Sequence, residues 1–227
     1  MQKIGFCERY RLTTAVLNRT KELTRRLEKA LERAVTEYEK QHGEPFEIIN
    51  QYWDEKRGKV CCLTKHGIIH VGTHYKLNEV VAVAQAYKDI FHPLDWVNRE
   101  IYEKCKGWSN KLFVRADLMP HQIQITGVRI ERLQDISDED CLKEGIIKGY
   151  DEGSPVYWIA LPTDIGWKEY RKRSNEVSRH IKGDLYSPFF KTPREAFAAL
   201  INRPGVGRKG LWESNPWVVV YEFKLIK

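Results

Sequence analysis

The stretch AVLNRTKELTRR, residues 15–26, sets Lys21, Thr24, Arg25 and Arg26 within six positions, directly after a short amphipathic run. An amine, a hydroxyl and two guanidiniums at this spacing allow two readings. They can be the solvated face of a helix, or they can be a reactive or anion-binding corner. Three other groups carry chemistry. His66, His70 and His74 are spaced by four and would share one face of a helix, where they could ligate a metal. Gly67 and Gly72, with β-branched residues between them, argue instead for strands and a turn, so no metal site is expected. The segment NRPGVGRKG, 202–210, puts Arg208 and Lys209 in a glycine-rich turn. It lacks the GxxxxGK[ST] order and no strand precedes it, so it is not a P-loop. Its backbone N–H groups could contact phosphate, though a mobile turn is the simpler reading. The run YRKRSNEVSRHIK, 170–182, contains Arg171, Lys172 and Arg173 and few apolar positions. It reads as a solvated face or as a patch that tracks a phosphate backbone.

The elements that position these groups belong to a chain of 227 residues, long enough for one well-buried core. Hydrophobic residues make up 42%, which points to a globular chain. A net charge of +7 and a pI near 9.1 suit an anionic partner such as a nucleotide or nucleic acid. Seven Trp and eleven Tyr add faces on which bases could stack; Trp108, Trp212 and Trp217 are expected mainly in the core. No apolar run reaches the length of a membrane span, and MQKIGFCERY lacks a signal-peptide apolar region. Cys7, Cys61, Cys62, Cys105 and Cys141 form no CxxC pair. The expectation is a cytoplasmic protein with reduced thiols, no structural zinc, no cofactor and no membrane partner. The oligomeric state is not legible.

Residues 3–7 read as a short strand, and Leu12, Ala15 and Val16 mark a helix face. Apolar positions from Leu27 through Ala30, Leu31, Ala34, Val35 and Tyr38 predict a helix stopped by Gly43. Its start falls anywhere from Lys21 to Leu27. PFEIINQYW, KVCCLTKHG and IIHVGTHY predict strands, as do 79–87, 111–118 and 123–133, the last with Gly127 as a candidate bulge. Ser137 caps a short helix. Thr192 caps another, with Pro193 at its first position. WVVVYEFKLI closes the chain as a strand. A mixed fold follows, with a small barrel or twisted sheet flanked by helices.

RTKELTRR resembles the signature of ASCH domains, a branch of the PUA-like superfamily, whose pattern is Gly-x-Lys-x-x-Glu/Thr-x-Arg. Lys21, Thr24 and Arg26 fill three positions, and Arg19 stands where the pattern has glycine. YKLNEVVAVAQAY, the long segment from GWSNKLFVRADL to CLKEGI, PREAFAALIN and WESNPWVVVYEF resemble further blocks of the family's phage and prophage members. The resemblance covers 3–26, 74–147 and 192–227, with 27–73 and 148–191 as insertions. It implies an α+β, PUA-like fold: one domain, 1–227, built as a small mixed β-barrel with flanking helices.

One branch of the family removes acyl groups from N4 of cytidine with a Thr, a Lys and a Glu. The resemblance maps these onto Thr24, Lys21 and Glu144. A threonine hydroxyl needs an activating base. A lysine can serve when burial or neighbouring cations such as Arg25 and Arg26 lower its ammonium pKa. Glu144 would orient the lysine or protonate the leaving amine, and Arg26 or Arg25 would hold an oxyanion or phosphate. The expected partner is a nucleoside, a nucleotide or RNA. The alternative is a non-catalytic module that binds RNA or single-stranded nucleic acid in the same cleft, bordered by Arg171, Lys172, Arg173, Arg208 and Lys209.

Overall fold

A computed structural model describes residues 1–90, 104–159 and 189–227. They divide into two compact units. The first comprises Met1–Phe6, Glu22–Asp135 and Asn215–Lys227; the second comprises Cys7–Lys21 and Ile136–Ser214. The class is mixed α+β.

The first unit holds two sheets. Strands β1 (Gln2–Ile4), β2 (Leu23–Arg26), β6 (Val80–Val83), β7 (Gln122–Arg132) and β10 (Trp217–Leu225) form a five-stranded sheet in the order β1-β6-β7-β10-β2. The pair β1–β6 is parallel; the other neighbours are antiparallel. β10 is an interior strand between β7 and β2, and its Val218 to Tyr221 are all buried, as expected of a strand covered on both faces. The register between β7 and β10 slips beside Gly127: Glu222 opposes Gly127 while Phe223 opposes Ile125, so Thr126 is the extra residue of a bulge. The closed barrel implied by the family resemblance is absent among the described residues. β1 and β2 are open edges of three and four residues, each bonded to a neighbour on one side alone.

Residues 50–72 form a separate meander of β3 (Asn50–Asp54), β4 (Lys59–Thr64) and β5 (Gly67–Gly72). Val60, Cys62, Thr64 and Val71 make its buried face, and Leu63 and Ile68 on the other face stay exposed, although Cys61 on that second face is also buried. The Gln51 side chain ties this sheet to the larger one by donating to Ile130 O at 2.8 Å and accepting from Ile130 N at 2.7 Å. Helix α2 (Lys29–His42) buries Leu31 and Tyr38 and ends at Gly43, whose φ of +68° is the left-handed cap glycine favours. The reading that starts this helix at Lys21 is corrected here, because 23–26 are strand β2.

Two further expectations are corrected. Of 79–87, only Val80–Val83 is strand, and Tyr87–Ile90 forms a single helical turn, α3. Residues 111–118 are not a strand but two 3-10 turns, Lys111–Phe113 and Ala116–Leu118. The Asn110 side chain captures Leu112 N at 3.0 Å, and such local capture competes with a sheet ladder.

The second unit carries α1 (Leu12–Leu17), α4 (Asp138–Lys143), the hairpin β8 (Ile146–Asp151) and β9 (Ser154–Ile159), α5 (Pro193–Ile201) and the short α6 (Leu211–Ser214). Ser137 caps α4 by accepting from Asp140 N at 3.1 Å. Thr192 and Glu195 close a capping box on α5, whose Ala196, Phe197, Leu200 and Ile201 form its buried face. No helix among the described residues is long and apolar enough to cross a membrane.

Candidate functional site

Lys21 lies four residues beyond the end of α1, and its backbone N–H donates to Ala15 O at 3.0 Å. The chain turns into it through Arg19, whose φ of +59° is left-handed. Arg19 thus adopts a conformation that glycine favours, at a steric cost. Glu144 is the C-terminal cap of α4.

The structure brings these two together within the second unit. Lys21 Nζ donates to Glu144 Oε2 at 2.5 Å and to the Glu144 backbone carbonyl at 2.9 Å. Their side chains are 2% and 6% exposed. Gly145, with φ +100°, makes room for the approach: a Cβ there would stand 3.2 Å from Leu12 and 3.8 Å from Lys21 Cβ. Two charges removed from water at such cost hold together because each satisfies the other.

Thr24, Arg25 and Arg26 lie on β2 of the first unit, opposite Tyr221, Val220 and Val219 of β10. Thr24 and Arg25 are buried. Arg25 binds Glu131 through Nε at 2.7 Å and a terminal nitrogen at 2.6 Å. Arg129 continues that network to Glu131 and Glu222. Arg26 donates to Gly5 O at 2.9 Å and lies over the Phe6 ring. Its buried Nε donates to nothing among the described residues.

Arg208 and Lys209 are exposed, in the turn between α5 and α6. Arg171, Lys172 and Arg173 lie outside the described residues. The three histidines spaced by four do not converge. His66 stacks on His42 and contacts Glu44, His70 is on β5, and His74 gives its backbone amide to Tyr221. All five cysteines are free. Trp108 packs against a buried cluster of Ala82, Ala84, Tyr87, Val114 and Met119. Trp217 meets Phe46 edge-on, and Trp212 lines an open cleft of about 410 Å³ with Asp138, Thr192 and Arg194. Neither Lys21 nor Glu144 lines that cleft.

One buried group outside these expectations is Tyr221. Its hydroxyl donates to Glu28 and accepts the amides of His74, at 3.0 Å, and Tyr75, at 3.3 Å. Burial, and then the Glu28 carboxylate, push its phenol far above the ordinary tyrosine value.

No protein-family model, no curated protein and no solved structure matches the chain.

Proposed function

We propose that this chain is an amidohydrolase that removes an acyl group from N4 of cytidine or a related nucleoside or nucleotide. Thr24 is the nucleophile, Lys21 the base and Glu144 the acid for the leaving amine. The ASCH-like motif suggests the reading. The observation that carries it is the doubly buried Lys21–Glu144 pair, formed between the motif lysine and the glutamate that the resemblance selects 123 residues away. Thr24 follows Lys21 by three residues, a reach of at most about 11 Å along the chain.

The chemistry balances. Glu144 takes one proton from Lys21 Nζ along the hydrogen bond that joins them, which leaves the amine free to act as a base. The amine takes the Thr24 hydroxyl proton as Oγ bonds to the acyl carbon. Arg26 is the donor proposed for the oxyanion that forms. Collapse breaks the C–N bond, and Glu144 gives its proton to the departing cytosine amine. The pair is then ionic again. The same relay, with water in place of the Thr24 hydroxyl, cleaves the acyl ester and restores the enzyme. The test is turnover of N4-acetylcytidine by the wild type against Thr24→Ala, with hydrolysis expected in the first alone.

A second reading, non-catalytic binding of RNA or single-stranded nucleic acid, is favoured by Arg208 and Lys209. Both are exposed, and neither side chain has an ion-pair partner among the described residues. Retained RNA binding without any turnover would select it.

A further inference from the structure

We propose that Asp54, Cys61 and His70 form a binding site for a divalent transition-metal ion, with Zn²⁺ the ion they suit best. The three come from three adjacent strands of the 50–72 meander. Cys61 is directly opposite His70 in the β4–β5 ladder, so both side chains rise from the same face. On the other side Cys61 opposes Tyr52, which places Asp54 one step along β3 on that same face. Cys61 Sγ is 3.0 Å from His70 Nδ1 and 4.0 Å from Asp54 Oδ2. All three ligand atoms lie within 4.8 Å of one another.

Those distances bracket what a tetrahedral ion requires. A Zn–S bond of about 2.3 Å and a Zn–N bond of about 2.0–2.1 Å set sulfur and nitrogen roughly 3.5 Å apart. Small side-chain rotations from the observed positions supply that separation, because the sheet already fixes the backbone. The donor set is thiolate, imidazole and carboxylate, the mixture that selects a borderline-soft ion over Mg²⁺ or Ca²⁺. Thiolate and carboxylate together supply two negative charges for a divalent ion. Three protein ligands leave a fourth position for water or an exogenous ligand. Access exists from one side: Cys61 is buried, Asp54 is half-buried and His70 is exposed. Arg57, 61% exposed, now balances Asp54 at 2.7 Å. An ion would take over that role and release the guanidinium to solvent.

The experiment uses the whole chain, stripped with a chelator and titrated with Co²⁺, then with Zn²⁺. The expected result is one equivalent of Co²⁺ with a thiolate-to-cobalt charge-transfer band, which Zn²⁺ abolishes by displacement. Cys61→Ser should remove the band. His70→Ala, at an exposed side chain that the fold tolerates losing, should weaken binding by more than about tenfold, since even outer-shell partners of metal ligands carry that much. His66→Ala should bind as the wild type does. The proposal is overturned if the wild type takes up no stoichiometric ion, or if His70→Ala binds as tightly as the wild type.

Discussion

Lys21 Nζ and Glu144 Oε2 are 2.5 Å apart with both side chains almost wholly out of water. The fold encloses this pair between the turn that follows α1 and the end of α4. A buried ion pair is costly to assemble and more costly to halve. Lys21→Met or Glu144→Leu alone should therefore lower stability by about 3–5 kcal/mol. The double substitution should recover most of that loss, because no lone charge remains. Denaturant midpoints of the three variants check it. Losses that simply add in the double variant would show the pair is not one unit.

Arg19 offers a stability test in the opposite direction. Its φ of +59° penalises any side chain with a Cβ. Arg19→Gly should raise stability by about 0.5–1 kcal/mol, the relief of strain outweighing the added freedom of the unfolded chain. Urea unfolding of the two proteins measures this, and a destabilised variant would mean the Arg19 side chain holds the turn by contacts of its own.

Tyr221 makes alkaline stability predictable in sign. Its folded-state pKa is raised, by burial first and Glu28 second, above the ordinary tyrosine value near 10. The folded form thus keeps a proton that the unfolded form loses. Its contribution is complete below about pH 10 and declines as pH rises beyond it. Tyr75, also raised by burial, acts in the same direction. In Tyr221→Phe the decline above pH 10 should be shallower. Stability at neutral pH should fall by about 1–3 kcal/mol, because the Tyr75 amide loses its acceptor and Glu28 loses a donor, keeping only the His74 amide at 2.9 Å. Melting curves from pH 7 to 11 read both effects.

Local signals made much of this fold legible. Ser137, Thr192 with Glu195, and Gly43 each act through bonds to their own neighbours, so their helices were readable in place. KLFVRADL alternates as a strand does, yet Asn110 turns it into 3-10 structure and leaves Leu112 and Phe113 exposed. Lys21 and Glu144 are paired by tertiary packing alone, and only a family pattern linked them. The Asp54, Cys61 and His70 cluster has no linear spacing to notice. Its signal is the tight β4–β5 turn at Lys65 and His66, which pairs Thr64 with Gly67 and so brings Cys61 opposite His70. The spacing of four among His66, His70 and His74 would matter only on a helix, and Gly67 and Gly72 point instead to the strand that the structure shows.

Arg208 and Lys209 yield a binding test. If they contact phosphates, charge reversal of both should lower the slope of log affinity against log salt by roughly 1.4 for single-stranded RNA, about 0.7 per contact. The loss should be independent of base sequence. Filter binding across a salt series measures the slope, and an unchanged value would remove this turn from any nucleic-acid surface.

Release of cytidine from N4-acetylcytidine by the purified protein tests the chemistry proposed for Lys21, Thr24 and Glu144. Steady turnover is expected of the wild type. Thr24→Ala and Lys21→Ala should each lose most turnover, with the double variant little worse than either, because the residues act as a unit. Wild-type protein that releases no cytidine from any N4-acylated cytosine, or a Thr24→Ala variant that turns over at the wild-type rate, would contradict that chemistry.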